Sequence, residues 1–270
     1  MHLKAIISLL EQKLSPKSFK LDSEVYGIQF GISDPNRVIK KVLVTLNLSL
    51  EAVHYAFKKK INLIISYQGL ISSPIDKFDQ YLVNRLTLLS KYPISIFVLN
   101  SSFIAAEEGI SDKIMNGLYL NLERTLNIEN KDGEEIPIGR ICTPKEYPSQ
   151  KTPLNLESII KRVKTVFEAE KISYVGDLSN IIKKCCVIGG NNSDIKLMER
   201  ALDYNCDCYI SSNIKHDEAL FAKDNGLSLI ELSYYKSGIF SLKKLHNFLS
   251  LEFPYDEFFF FESEDPFHIY

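Results

Sequence analysis

Short apolar runs alternate with longer amphipathic stretches along almost the whole chain, and that rhythm limits the folds open to it. Val38 to Leu46, Leu63 to Ser66 and Ile94 to Leu99 in the first half are rich in branched aliphatic residues. Lys184 to Ile188, Cys208 to Ser212 and Ser228 to Leu232 repeat the type in the second. Runs this short, bounded by polar turns, read as buried strands rather than core helices. The stretches 49–60, 79–91, 194–204 and 216–225 carry apolar residues at helical spacing. Strand and helix in alternation predict an α/β fold, and a strand–helix–strand unit implies a parallel pair with a right-handed crossover.

The remaining segments fill in around that frame. Residues 2–13 fit a first helix. Tyr26 to Ile32 alternates and holds two glycines, as an edge strand near a turn does. Ser49 is placed to cap the helix that follows, Glu51 sits in its first turn, and Lys58-Lys59-Lys60 suit its negative end. A helix is expected from Ala105 to Met115. Residues 125–150 read as a loop-bearing hairpin with Ile136 to Ile141 as one strand. A helix over Leu156 to Phe167 and a strand over Ile172 to Gly176 follow. Ser233-Tyr234-Tyr235 reads as a loop, with a closing helix over Leu242 to Leu249. Phe258 to Phe261 reads first as a core strand; an exposed aromatic anchor is the alternative. Together these give two related, interlocked α/β lobes with mixed sheets flanked by helices, over 1–125 and 150–270, joined by a connecting region over 126–149. With no low-complexity linker, the lobes are expected to share an interface.

Size and charge narrow the function classes. A chain of 270 residues, 45% hydrophobic, can bury a substantial core. The formal net charge of -2 gives no global field favouring nucleic acid or an anionic membrane, and leaves only a local basic patch open. No apolar run reaches the ~18 residues that span a bilayer. The opening Met1 to Glu11 lacks a small-residue cleavage site and reads as an amphipathic helix rather than a leader. Cys142, Cys185, Cys186, Cys206 and Cys208 lie in or beside apolar runs without zinc-ribbon spacing. They read as reduced core thiols of a cytoplasmic protein, with a nuclear location also open.

One turn invites an anion. Gly189-Gly190-Asn191-Asn192-Ser193 lies between a strand and a helix, where backbone N–H groups can cradle a phosphate. It lacks the Gly-Lys-Ser/Thr of a phosphate-binding loop and the third glycine of the dinucleotide fingerprint. A tight strand-to-helix turn is the simpler reading.

Taken in order, several frames resemble one family. Tyr26-Gly27-Ile28-Gln29-Phe30-Gly31 resembles Gly-Leu-Gln-Val-Gly, and Leu46-Asn47-Leu48-Ser49 resembles Leu-Asp-x-Thr. Ser66-Tyr67-Gln68-Gly69-Leu70-Ile71 resembles Ser-His-His-Pro-Leu-Ile. Asn100 to Gly109 is similar to His-Thr-Asn-Leu-Asp-Ala-Ala-x-Gly-Gly. Ile210 to Asp217 is similar to Thr-Gly-Asp-Ile-Lys-Tyr-His, and Glu231 to Gly238 to Asp-x-Gly-His-Tyr-x-Ser-Glu. These frames resemble the Nif-three-like (NGG-interacting factor three) family, also called the GTP cyclohydrolase I type 2 family.

The resemblance implies a two-lobed α/β fold, a homohexamer, and two divalent metal ions held in a cleft between lobes. The family's five ligands fall, position by position, on Tyr67, Gln68, Ile104, Tyr234 and Gly238. None is a usual ligand, so the resemblance implies a degenerate metal site, no metal cofactor and a pseudoenzyme. Asn47, Ser66, Asn100, Asn213 and Tyr235 would line the cleft. His216 and Asp217 remain the residual acid–base candidates, against the plainer reading of two exposed residues at a helix start. Three functions stay open. The first is a metal-free binding, regulatory or structural subunit with a protein partner. The second is a metal-dependent or relocated-site hydrolase of a nucleotide or related small molecule, using His216, Asp217, Asp194 and the Asn191-Asn192-Ser193 turn. The third is a subunit of a ribonucleoprotein or transcription complex, which the charge balance does not favour.

Overall fold

The computed structural model describes residues 1–21, 24–145, 153–191 and 193–268, and the chain forms two compact units. The first comprises residues 1–106 and 241–268, the second residues 107–240. The cuts fall elsewhere than the lobes drawn from sequence, because the end of the chain returns to the first unit and 126–144 is built into a sheet of the second.

The first unit opens with helix α1 (Leu3–Leu9), which widens into a π-helical turn over Leu10–Leu14. Strand β1 (Gly27–Gly31) precedes β2 (Lys41–Thr45), α2 (Leu50–Lys59), β3 (Leu63–Ser66), α3 (Gln80–Leu89), β4 (Ser95–Val98) and the short α4 (Ser101–Ala105). Ser49 caps α2 as its sequence position predicts, its side chain accepting the Ala52 N–H at 3.1 Å. Lys60 ends that helix in the left-handed conformation at φ 56°. Asp79 caps α3 in the same way.

The unit's five strands run in the order β1-β4-β3-β2-β11, where β11 is Glu257–Phe261. β11, β2, β3 and β4 are parallel, and β1 closes one edge antiparallel to β4. Every residue of β3 and β4 is buried, the pattern of strands covered on both faces. Leu43, Ile64 and Ile96 share a core with Val53 and Ala56 of α2 and Leu82 and Leu89 of α3. Each such burial contributes roughly 2 kcal/mol. Phe259 and Phe261 pack against that core, while Phe258 stacks on Phe253 and Phe260 meets His246. The four phenylalanines are thus a half-buried edge strand, closer to the first of the two sequence readings.

The second unit holds α5 (Ile110–Gly117), β5 (Leu120–Glu129), β6 (Glu135–Pro144), α6 (Leu156–Val166), β7 (Tyr174–Val175), β8 (Cys185–Ile188), α7 (Ile195–Asp203), β9 (Cys208–Ser212), α8 (His216–Asp224) and β10 (Ser228–Leu232). Its six-stranded sheet runs β5-β6-β8-β9-β10-β7. The middle strands β8, β9 and β10 are parallel; β5, β6 and β7 pair antiparallel. The hairpin over 126–149 is therefore part of this sheet and not a connector between lobes, with residues 146–149 outside the described ones. Helix α9 (Tyr234–Glu252) follows β10 in the chain.

Two helix boundaries depart from the sequence expectation. The helix expected over Ala105 to Met115 is instead α4 and α5, broken at Ala106 to Gly109. Glu108 takes φ 60° there, and its N–H is held by Asp112 at 2.7 Å. Tyr234 and Tyr235 begin α9 rather than a loop, because Ser233 Oγ accepts the Lys236 N–H and starts the turn.

Candidate functional site

The carboxyl ends of β2, β3 and β4 lie side by side, with Thr45 paired to Ser66 and Ser66 to Val98. That register brings most of the first unit's predicted site residues together. Tyr67 N–H donates to Thr45 O at 3.1 Å and Gln68 N–H to Leu46 O at 3.0 Å, with Asn47 next in the chain. Asn100 N–H donates to Tyr67 O at 3.0 Å. Ser66 Oγ donates to Gln68 O at 2.6 Å and fixes the turn. Tyr67 is only 3% exposed, Gln68 is exposed, and Ile104 is buried in α4.

Gln29 organises this turn, and sequence reading missed it. Its Oε1 accepts the Leu70 N–H at 2.6 Å, and its Nε2 donates to Ile71 O at 2.7 Å. A Cβ on Gly69 would meet Ile71 O at 2.9 Å and the Gln29 side chain just beyond, so the turn admits little but glycine. The only hint in the sequence was Gln29's place in a glycine-flanked frame.

A second organiser is Glu24. Its Oε2 accepts the Ser101 N–H at 3.1 Å, while Ser101 Oγ accepts the Leu21 N–H at 3.2 Å. Burial pushes the Glu24 carboxyl above its ordinary range, and the Ser101 bonds and the Lys20 charge oppose that only in part. Asn100 takes φ 48° and donates from Nδ2 to Val25 O, tying the same segment to the end of β4. Asn47 Oδ1 and Ser102 Oγ are buried without a hydrogen-bond partner among the described residues.

The second unit presents a comparable strand end. Ser211 and Ser212 finish β9 fully buried, and neither hydroxyl finds a partner among the described residues; nor does Ser193 Oγ. Asn213 takes φ 55° and donates from Nδ2 to Asn191 Oδ1 at 3.1 Å. The glycine turn is spent on structure: the Gly189 N–H goes to Ser111 Oγ at 3.1 Å, and a Cβ there would meet Ile110 Cγ2 at 2.5 Å. Gly190 needs φ 69°. Asp194 caps α7 by accepting the Leu197 N–H at 2.7 Å. Asn192 lies outside the described residues.

His216 and Asp217 stand exposed in the first turn of α8, where Asp217 and Glu218 complement the helix dipole. Tyr234 begins α9, half-buried beside Tyr235, and Gly238 is buried one turn later. The five cysteines are free and buried. Cys142, Cys185 and Cys208 occupy paired register positions across β6, β8 and β9.

Known proteins confirm the architecture. The family model described as Duf34/NIF3 (NGG1p interacting factor 3) matches residues 1–266. A Methanocaldococcus jannaschii protein named GTP cyclohydrolase 1 type 2 homolog is 23% identical over 250 residues, 93% of this chain and 95% of that protein. A protein of the same name from Streptococcus pneumoniae is 26% identical and covers 83% of this chain and 82% of its own. Among solved structures, the Bacillus cereus protein related to NIF3 superposes with a TM-score of 0.83 at 15% identity, covering 100% of this chain and 99% of its own. Reduced HcgD from Methanocaldococcus jannaschii does so with a TM-score of 0.79 at 22% identity, covering 97% and 98%. With the match running almost from end to end, and with two mixed sheets flanked by helices beneath it, this chain belongs to the Duf34/NIF3 family.

Proposed function

We propose that this chain is a metal-free, non-catalytic member of its family that kept the scaffold for a binding or assembly role. The observation that carries this reading is the donor set at the five inherited ligand positions. A two-cation centre needs imidazole and carboxylate donors at fixed distances. Tyr67 and Tyr234 offer phenols, Gln68 a carboxamide, Ile104 a hydrocarbon, and Gly238 no side chain at all. In neither unit do three His, Cys, Asp or Glu side chains among the described residues converge as a metal site would require. The residues present do not fit the family's metal pair.

Buried polar atoms elsewhere in the two units support binding without charge. Asn47 Oδ1 and the hydroxyls of Ser102, Ser211 and Ser212 are neutral, buried and without a hydrogen-bond partner among the described residues, as befits positions that meet a polar, uncharged group. The relocated-site reading finds less support: Asp194 is committed to its helix cap, and His216 and Asp217 sit in solvent.

Elemental analysis and titration calorimetry of the purified full chain with zinc, manganese and iron(II) test the proposal. Substoichiometric metal and no saturable binding are expected; two equivalents of tightly held metal overturn it. Native mass spectrometry tests the hexamer that family resemblance suggests.

A further inference from the structure

A basic face lies at the amino ends of the first unit's parallel strands, at the opposite end of the sheet from the candidate site. Lys40 and Lys41 enter β2, Lys58, Lys59 and Lys60 end α2, and Lys91 follows α3. Hydrogen bonds draw these segments together. Asn62 Oδ1 accepts the N–H groups of Lys40 and Lys41 at 3.1 Å each, and Ser95 N–H donates to Asn62 O at 3.0 Å.

Aromatic rings hold several of the ammonium groups in place. Lys41 and Lys59 each lie 5.9 Å from the Phe259 ring centre, and Lys91 lies 5.7 Å from that of Phe57. The negative end of α2 accounts for cations at 58–60, but not for Lys40 and Lys91 converging from other elements. Opposing charge is thin. Glu257 pairs with Lys41 at 3.3 Å, and Asp256 is largely committed to the N-terminal ammonium at 2.8 Å. Lys40 Nζ lies 3.9 Å from Asp256 and keeps a side chain 67% exposed. Beside this charge stand two apolar side chains open to solvent: Tyr255, 95% exposed and adjacent to Asp256, and Val38, 52% exposed just before β2.

We propose that this face is a peripheral docking surface for anionic lipid bilayers. Clustered lysines supply attraction to acidic headgroups within a Debye length, and Tyr255 and Val38 supply shallow apolar contact. The chain's net charge of -2 does not oppose this, because the field at a surface is local. Single-stranded nucleic acid fits the face less well. It needs a track of bare rings for successive bases, whereas Phe57 and Phe259 already carry ammonium groups. No helix among the described residues is long and apolar enough to cross a membrane, so the contact would be superficial.

Co-sedimentation of the full chain with phosphatidylcholine vesicles, with and without phosphatidylserine, tests this. Binding is expected only with phosphatidylserine, and high salt should release it. The triple variant Lys40→Gln, Lys60→Gln, Lys91→Gln should bind on the order of 100-fold more weakly. Tyr255→Ala, which removes no charge and no buried contact, should bind several-fold more weakly. Wild-type protein that ignores phosphatidylserine overturns the proposal. So does lysine-dependent binding to a single-stranded oligonucleotide without vesicle binding, which would assign the face to nucleic acid.

Discussion

Gln29 clamps Leu70: one carboxamide accepts the Leu70 N–H at 2.6 Å and donates to Ile71 O at 2.7 Å, so a side chain of β1 shapes the turn leaving β3. Gln29→Ala should cost about 2 kcal/mol in denaturant unfolding, since two backbone groups lose their partner. Gln29→Glu keeps the acceptor but loses the donor to Ile71 O, and should recover only part. An unchanged midpoint in both would show that the turn holds itself.

The Arg140 guanidinium meets Asp112 at 2.5 Å in the interior of the second unit, and Asp112 also holds the Glu108 N–H. Removing one charge strands the other out of water. Arg140→Met should therefore destabilise the protein by about 3–5 kcal/mol. The double change with Asp112→Asn should be milder than the single one. A double variant as damaged as the sum of its parts would contradict the coupling.

Glu24 makes a pH test possible. Its folded-state pKa lies above the unfolded value because burial disfavours the carboxylate. The folded state therefore holds more protons through that window, and stability should fall as pH rises from the unfolded pKa through the folded one. Glu24→Gln keeps an acceptor for the Ser101 N–H and removes the charge. Thermal midpoints measured from mildly acidic to neutral pH should decline less in the variant than in wild type. Parallel profiles would rule the assignment out.

The five thiols should be silent in the native protein. Burial pushes Cys142, Cys186 and Cys206 up, Cys206 to about 12, and a hydrogen bond with Cys185 together with burial raises Cys208, so almost no thiolate is present on these four at neutral pH. A chromogenic disulfide reagent should titrate none rapidly in native buffer and all five in guanidinium. A fast native phase would mark a thiol that opens to solvent.

Ile104 gives the sharpest check on the proposed metal-free reading. It is 1% exposed in α4. Ile104→Asp would place a carboxylate in an apolar setting and should cost about 3 kcal/mol or more in the absence of any cation. A variant as stable as wild type would mean that this position tolerates a buried carboxylate, against the proposed loss of a metal site.

Sequence revealed most of the framework because its signals are local. Leu63 to Ser66 and Cys208 to Ser212 announce buried strands by composition alone, and Ser49 announces a cap by position. Features made by distant segments stayed hidden. Gln29 looked like one residue of an edge strand, and nothing nearby tells that its carboxamide spans 41 residues to Leu70. The break between α4 and α5 depends on Asp112 reaching back to Glu108. The basic face unites Lys40, Lys60 and Lys91, which a net charge of -2 conceals. Within the candidate site, the convergence of Tyr67, Gln68, Asn47 and Asn100 followed from the parallel order of β2, β3 and β4. The orphaned serines at the end of β9 emerge only when the chain is folded.

Strand β11 joins β2 across more than 200 residues of chain, and the N-terminal ammonium grips Asp256. During translation the first unit therefore waits, its sheet open along β2, until residues 257–261 have left the ribosome. The second unit, continuous from 107 to 240, can consolidate earlier. Truncation before Glu257 would bare a hydrophobic strand margin in every nascent or shortened chain, turning a loss of a few residues into a route to aggregation.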